Sequence, residues 1–142
     1  MNSLEIQNEM KNYRCFKGVY PRDLLPLRHI NERPIAMILN TDNSSKPGEH
    51  WVALFIEDNN QAEYFDSFGF EPLCCEIKEF LKINKIHSLK YDKSRIQSVF
   101  SDKCGAFCIL YLKLRCKHFS FEEFLKLFSN NYLANDLVVS KY

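Results

Sequence analysis

Cys104 and Gly105 open an apolar segment, Cys104-Gly-Ala-Phe-Cys108, and Gln97 stands seven residues before the cysteine. A thiol at the N-terminus of a buried helix meets unpaired N–H groups and the positive end of the helix dipole, which stabilise its thiolate. Upstream lie a histidine, in Gly48-Glu-His50-Trp51, and a carboxylate, in Tyr64-Phe-Asp66-Ser-Phe-Gly69. Thiol, imidazole, carboxylate and amide are the groups that covalent acyl transfer needs as nucleophile, base, orienting acid and oxyanion donor.

Those groups act together only if the chain brings them together. Ile35–Asn40 and Trp51–Ile56 are short apolar runs bounded by turn residues, so both read as buried strands. Asp58-Asn-Asn60 supplies a turn, and residues 62–66 return as a third strand, making a hairpin. His50 precedes the first strand of that hairpin and Asp66 closes the second. Antiparallel neighbours set opposite ends side by side, which predicts that His50 and Asp66 meet.

Elsewhere, residues 1–11 read as a short polar helix and residues 15–26 as mostly turns, because Gly18, Pro21, Asp23 and Pro26 interrupt them. Pro72 is expected in the first turn of a helix reaching about Asn84, and residues 88–91 as a short strand. Residues 104–117 are apolar nearly all round, as in a buried helix, and Ser120-Phe-Glu-Glu123 is a capping box for a helix to about Phe128. No repeat or linker interrupts this order, so residues 1–142 read as one α+β domain.

The net charge of +1 gives no overall field to steer a polyanion. Lys78, Lys82, Lys85, Lys90, Lys93 and Arg95 form a local basic stretch, read first as a solvated face and second as a weak DNA-binding surface. Residues 1–11 lack the apolar core of a signal peptide, and no window reaches the roughly 18 apolar residues of a membrane span. Adjacent Cys74 and Cys75, and Cys104, Cys108 and Cys116 within one helical segment, suit a reducing compartment better than a secreted disulfide framework. A zinc site from Cys74, Cys75, Cys104, Cys108 and His118 fits no common ligand spacing, and none is expected.

Gly48-x-His50-Trp51-x-Ala53, Phe65-Asp-Ser-Phe-Gly-Phe70 and Gln97 followed by Cys104-Gly105-x-Phe107-Cys108 resemble the adenovirus-type cysteine proteases (adenains). These belong to a wider class that includes the SUMO- and NEDD8-specific proteases. Residues 16–26 also resemble the family's opening segment, so the likeness runs from about Phe16 to Lys117. It implies a small mixed sheet packed against a central helix that carries Cys104 as nucleophile. His50 would be the base and later acid, Asp66 its orienting partner, and Gln97 an oxyanion donor beside the backbone N–H of Cys104. The seven-residue step from Gln97 to Cys104 matches the adenoviral spacing, whereas deconjugating enzymes usually place the glutamine one residue closer.

The resemblance further implies cleavage near glycine and protein substrates that are capsid or virion precursors. It implies action as a monomer inside the virion or infected cell, in nucleus or cytoplasm, without membrane attachment. Adenoviral enzymes take a peptide activator through a cysteine on a strand upstream of the glutamine. Residues 85–91 contain none here, so no cofactor is required by the sequence; a peptide or DNA activator stays open as the alternative, with the Lys78 to Arg95 stretch as the feature that favours DNA. Two other readings stand beside this one: a protease for a ubiquitin-like modifier, and a catalytically idle nucleic-acid- or capsid-binding module. Trp51 is expected as an aromatic lid over His50, and Cys108 as core.

Overall fold

The computed structural model describes residues 1–45 and 50–141; the expectation that Gly48 takes part in the His50 motif lies outside them. The described residues form five strands, β1 (Phe16–Pro21), β2 (Ile35–Asn40), β3 (Trp51–Ile56), β4 (Ala62–Phe65) and β5 (Leu89–Tyr91). Among the described residues the α-helices are α1 (Ser3–Met10), α2 (Cys75–Ile83), α3 (Cys104–Cys116), α4 (Phe121–Leu125) and α5 (Tyr132–Ser140). The strands make one sheet in the order β1-β2-β3-β4-β5. The three central strands are antiparallel, while β1 joins β2 and β5 joins β4 in parallel. The fold is α+β with a mixed sheet.

Both faces of that sheet are covered, which is why β2 and β3 are continuous apolar runs instead of alternating ones. Ala36, Ile38, Ala53, Phe55 and Phe65 face α3, with α1, α4 and α5 completing that layer. Ile35, Met37, Leu39, Val52, Leu54 and Tyr64 face the other way, onto Ile77 and Phe80 of α2. Helix α3 lies between the sheet and other helices, and nine of its thirteen residues are buried.

Three local expectations are corrected and one helix is added. Residues 16–21 are a strand and not turns: Gly18, at φ +133°, sits where the pairing with β2 shifts register, and Pro21 ends an edge strand where no ladder donor is required. Helix α2 starts at Cys75, three residues after Pro72. Helix α5 was absent from the sequence reading. Cys15 and Cys116 are paired as a disulfide, with Cα atoms 7.2 Å apart, because the end of α3 lies beside the entry to β1. Cys74, Cys75, Cys104 and Cys108 remain free. The capping box of α4 forms as expected, Ser120 Oγ accepting from the Glu123 N–H at 3.0 Å.

Candidate active site

The hairpin register puts Ala53 opposite Phe65. His50, three residues before Ala53, and Asp66, one after Phe65, therefore leave the sheet at the same end. His50 Nε2 lies 2.7 Å from Asp66 Oδ1. The same oxygen accepts the Phe68 N–H at 2.8 Å, so Asp66 closes an Asx turn and holds the imidazole at once. Its burial, at 5% exposure, shields that contact from water.

With Nε2 held by Asp66, His50 has Nδ1 left, a buried atom without a conventional hydrogen-bond partner. The imidazole's other titratable neighbour is the Cys104 thiol. Burial opposes protonation of His50. The hydrogen bond to Asp66, the neighbouring Cys104 thiol and the charges of both outweigh it and raise the imidazole from 6.5 to about 9. Burial likewise opposes ionisation of Cys104, yet His50 and the backbone amides of Trp51 and Gly105 hold its pKa below the ordinary 9.0. Both shifts favour a thiolate–imidazolium pair.

Cys104 is the first residue of α3, whose opening turn carries no acidic side chain, while Lys113 and Arg115 stand in its last turn. That charge arrangement leaves the helix's positive end free for the thiolate. Cys108, one turn on, is fully buried, and burial drives its thiol well above 9.0. It belongs to the core.

The aromatic group over the imidazole is Phe68, stacked on His50 with ring centroids 4.9 Å apart. Trp51 does not fill that role. Its indole N–H donates to the Met1 carbonyl at 3.0 Å, and its Cδ1 packs where a side chain at Gly105 would be, 3.3 Å from that position. Strand direction explains the difference, since Trp51 is the first residue of β3 and its side chain turns toward α3.

Gln97 is fully buried and lies in the segment leading to α3. Its Nε2 donates to the Ser101 carbonyl at 2.9 Å and approaches Ser101 Oγ at 3.4 Å, while its Oε1 accepts from the Ser67 hydroxyl. The structure thus joins Gln97 to the loop after Asp66, and its amide contacts are to Ser101 and not to Cys104. The Ser67 carbonyl also accepts from the N–H groups of Ile96 and Gln97 at 2.9 and 3.2 Å. Asn135 of α5, itself buried, donates to the Ile96 carbonyl at 2.9 Å. Gly69 adopts φ +74°, and a Cβ there would lie 2.4 Å from the Lys93 carbonyl oxygen.

Sequence reading missed Ser67, Phe68 and Asn135. For Ser67 and Phe68 the available signal was adjacency to Asp66; Asn135 gave none, because its contact spans 39 residues.

The far end of α3 is fixed by charge. Arg115, 6% exposed, binds Glu63 of β4 through Nε at 2.9 Å and Nη2 at 3.1 Å, and also contacts Glu57. The Tyr111 hydroxyl donates to the same Glu63. Glu63 lies on β4, three residues before Asp66, which follows the strand's last residue, so this cluster sets α3 against the strand that ends at the site.

No family model matches the chain. It is 32% identical over 99 residues to the cysteine protease S273R of African swine fever virus (isolate Tick/Malawi/Lil 20-1/1983), covering 62% of this chain and 36% of that protein. It is also 32% identical over 123 residues to R355 of Acanthamoeba polyphaga mimivirus, named as a thiol protease, covering 71% of this chain and 40% of that protein. The chain thus spans less than half the length of these relatives. A crystal structure of the African swine fever virus pS273R protease superposes at TM-score 0.63 with 17% identity, over 96% of this chain and 63% of that one. The central domain of an uncharacterized Legionella pneumophila protein, Lpg1148, superposes at 0.55 with 12% identity, over 99% and 94%. In sequence the chain is similar to viral cysteine proteases, and in fold it matches one of them.

Proposed function

We propose that this chain is a thiol endopeptidase with Cys104 as nucleophile, His50 as base and acid, and Asp66 as the group that orients the imidazole. One observation carries the reading: a single half-buried imidazole is hydrogen-bonded to Asp66 through Nε2 and neighbours the Cys104 thiol at the N-terminus of α3. The similarity to viral proteins named cysteine and thiol proteases supports it.

In the proposed reaction the Cys104 thiolate attacks a peptide carbonyl, forming a C–S bond and an oxyanion. The backbone N–H of Cys104 stabilises that charge, and the Gln97 amide joins it by exchanging its Ser101 contact for the oxyanion. His50 gives its proton to the leaving amine as the C–N bond breaks. Water, deprotonated by His50, then hydrolyses the thioester and restores the pair.

The finer assignments are cleavage near glycine, virion or capsid precursors as substrates, action as a monomer, and kinship with the adenovirus-type branch. The viral relatives support a viral substrate, and the seven-residue step from Gln97 to Cys104 supports the branch. A second reading, cleavage after a ubiquitin-like modifier, is favoured by one fact: several African swine fever virus relatives are named SUMO-1 cysteine proteases.

Purified wild type and Cys104→Ala, offered glycine-containing precursor segments and modifier fusions, test both readings. Cleavage is expected to fall at least about 10³-fold in the variant, with Cys104 the fastest thiol to react with iodoacetamide at pH 6. Full cleavage by the variant, or faster labelling of exposed Cys75, would end the enzyme reading.

A further inference from the structure

A cavity of about 500 Å³ opens beside His50 and is walled by His50, Asp66, Phe68, Phe70, Leu73 and Arg22. The site chemistry described above does not use it. It belongs to the α2 side of the sheet, since Tyr64 and Cys74 also line it, whereas Cys104 does not. His50 therefore stands between the thiol, in the α3 layer, and this cavity.

Three features describe its occupant. Its rim is apolar and uncovered: Phe70 is 65% exposed and Leu73 74%, and Phe70 lies 6.2 Å from Phe68, which itself stacks on His50. Its carboxylates, Asp66 and Glu71, are balanced by Arg22 and the His50 imidazolium, so the cavity carries no net charge. Arg22 Nε is buried and without a hydrogen-bond partner, the nearest carboxylate being Glu76 at 3.7 Å. The cavity thus offers apolar walls without a net charge and keeps one donor for a carbonyl oxygen.

The proton transfer fixes which part of a peptide reaches it. His50 must protonate the leaving amine, so the chain on the leaving-group side of the scissile bond passes over the imidazole. We propose that this cavity is the subsite for an apolar side chain in the first two substrate residues after the scissile bond, with Arg22 Nε donating to the peptide backbone there. The assignment rests on the endopeptidase reading, and Phe70 and Leu73 are its specificity-determining residues.

The test measures binding apart from catalysis. Tetrapeptide amides with free N-termini, beginning Leu-Leu, Lys-Lys or Asp-Asp, mimic the leaving fragment and are titrated by NMR into Cys104→Ala and into Cys104→Ala/Leu73→Asp. The Leu-Leu peptide is expected to bind about tenfold or more tightly than Asp-Asp, the order an apolar subsite supplies. Leu73→Asp should cancel that preference and favour Lys-Lys. Because Leu73 is exposed, the variant should fold, as judged by circular dichroism, and Leu73→Met should keep the wild-type ranking. Equal binding of all three peptides, or a uniform loss in Leu73→Asp, overturns the subsite. Discriminating binding by a protein that cleaves nothing would uphold the cavity and sink the enzyme reading instead.

Discussion

Asparagine at position 66 removes a charge while keeping the shape. Asp66 Oδ1 accepts from His50 Nε2 at 2.7 Å and from the Phe68 N–H at 2.8 Å, and a carboxamide oxygen accepts both. Against burial, Asp66 and Cys104 carry His50 from 6.5 to about 9. At about 1.4 kcal/mol per tenfold change in proton affinity, that rise favours the imidazolium by about 3 kcal/mol. A charge-assisted hydrogen bond is worth roughly twice a neutral one, so Asp66→Asn should remove about half of this, or about one pH unit.

The signs follow from the two directions. A raised histidine stabilises the fold fully below 6.5 and loses that contribution as pH rises through about 9. A depressed thiol contributes above its ordinary 9.0 and loses the contribution as pH falls through its lowered value. The thiolate–imidazolium pair therefore occupies a window whose alkaline edge is near 9, and both edges belong to the pair and not to one residue. The assay is kcat/KM against pH, with the pH dependence of iodoacetamide labelling at Cys104 beside it. In Asp66→Asn the alkaline edge should move down to about 8 and the maximum should fall about tenfold, with Cys104 ionising at higher pH. An alkaline edge that stays near 9 in the variant would refute this account of what holds the imidazolium.

Two further outcomes follow from the neighbouring contacts. Gln97→Ala should lower kcat by about 10²–10³ while changing the Cys104 labelling rate only a few-fold, because it removes an oxyanion donor and not the thiolate's partner; equal losses in both would assign Gln97 a purely structural role. Glu63→Ala should cost about 3–5 kcal/mol in denaturant unfolding, since it strips buried Arg115 of its bidentate partner and Tyr111 of its acceptor, and a cost under about 1 kcal/mol would show that Glu57 alone satisfies the cluster.

The parts of the site legible in the sequence were those decided by hairpin ends and helix starts. His50 and Asp66 met because antiparallel register is a short-range rule, fixed by strand lengths and one turn. Cys104 at the head of α3 was legible because a helix apolar all round must be buried and its first residue is set by the polar run before it. Phe68 over His50 depends on the Asx turn at Asp66, which sends the chain back across the imidazole, a direction that neither strand ends nor helix starts specify. Strand β1 was hidden by Gly18 and Pro21, turn signals that an edge strand with a register shift can carry. The contacts most distant in sequence gave no local sign at all. Arg115 with Glu63 and Asn135 with Ile96 span 52 and 39 residues. Yet these two contacts fix the two halves of the site: Arg115 sets the far end of α3 against β4, and Asn135 holds the segment that carries Gln97. Short-range rules thus reveal which groups can react, while long-range polar contacts determine how firmly they are held.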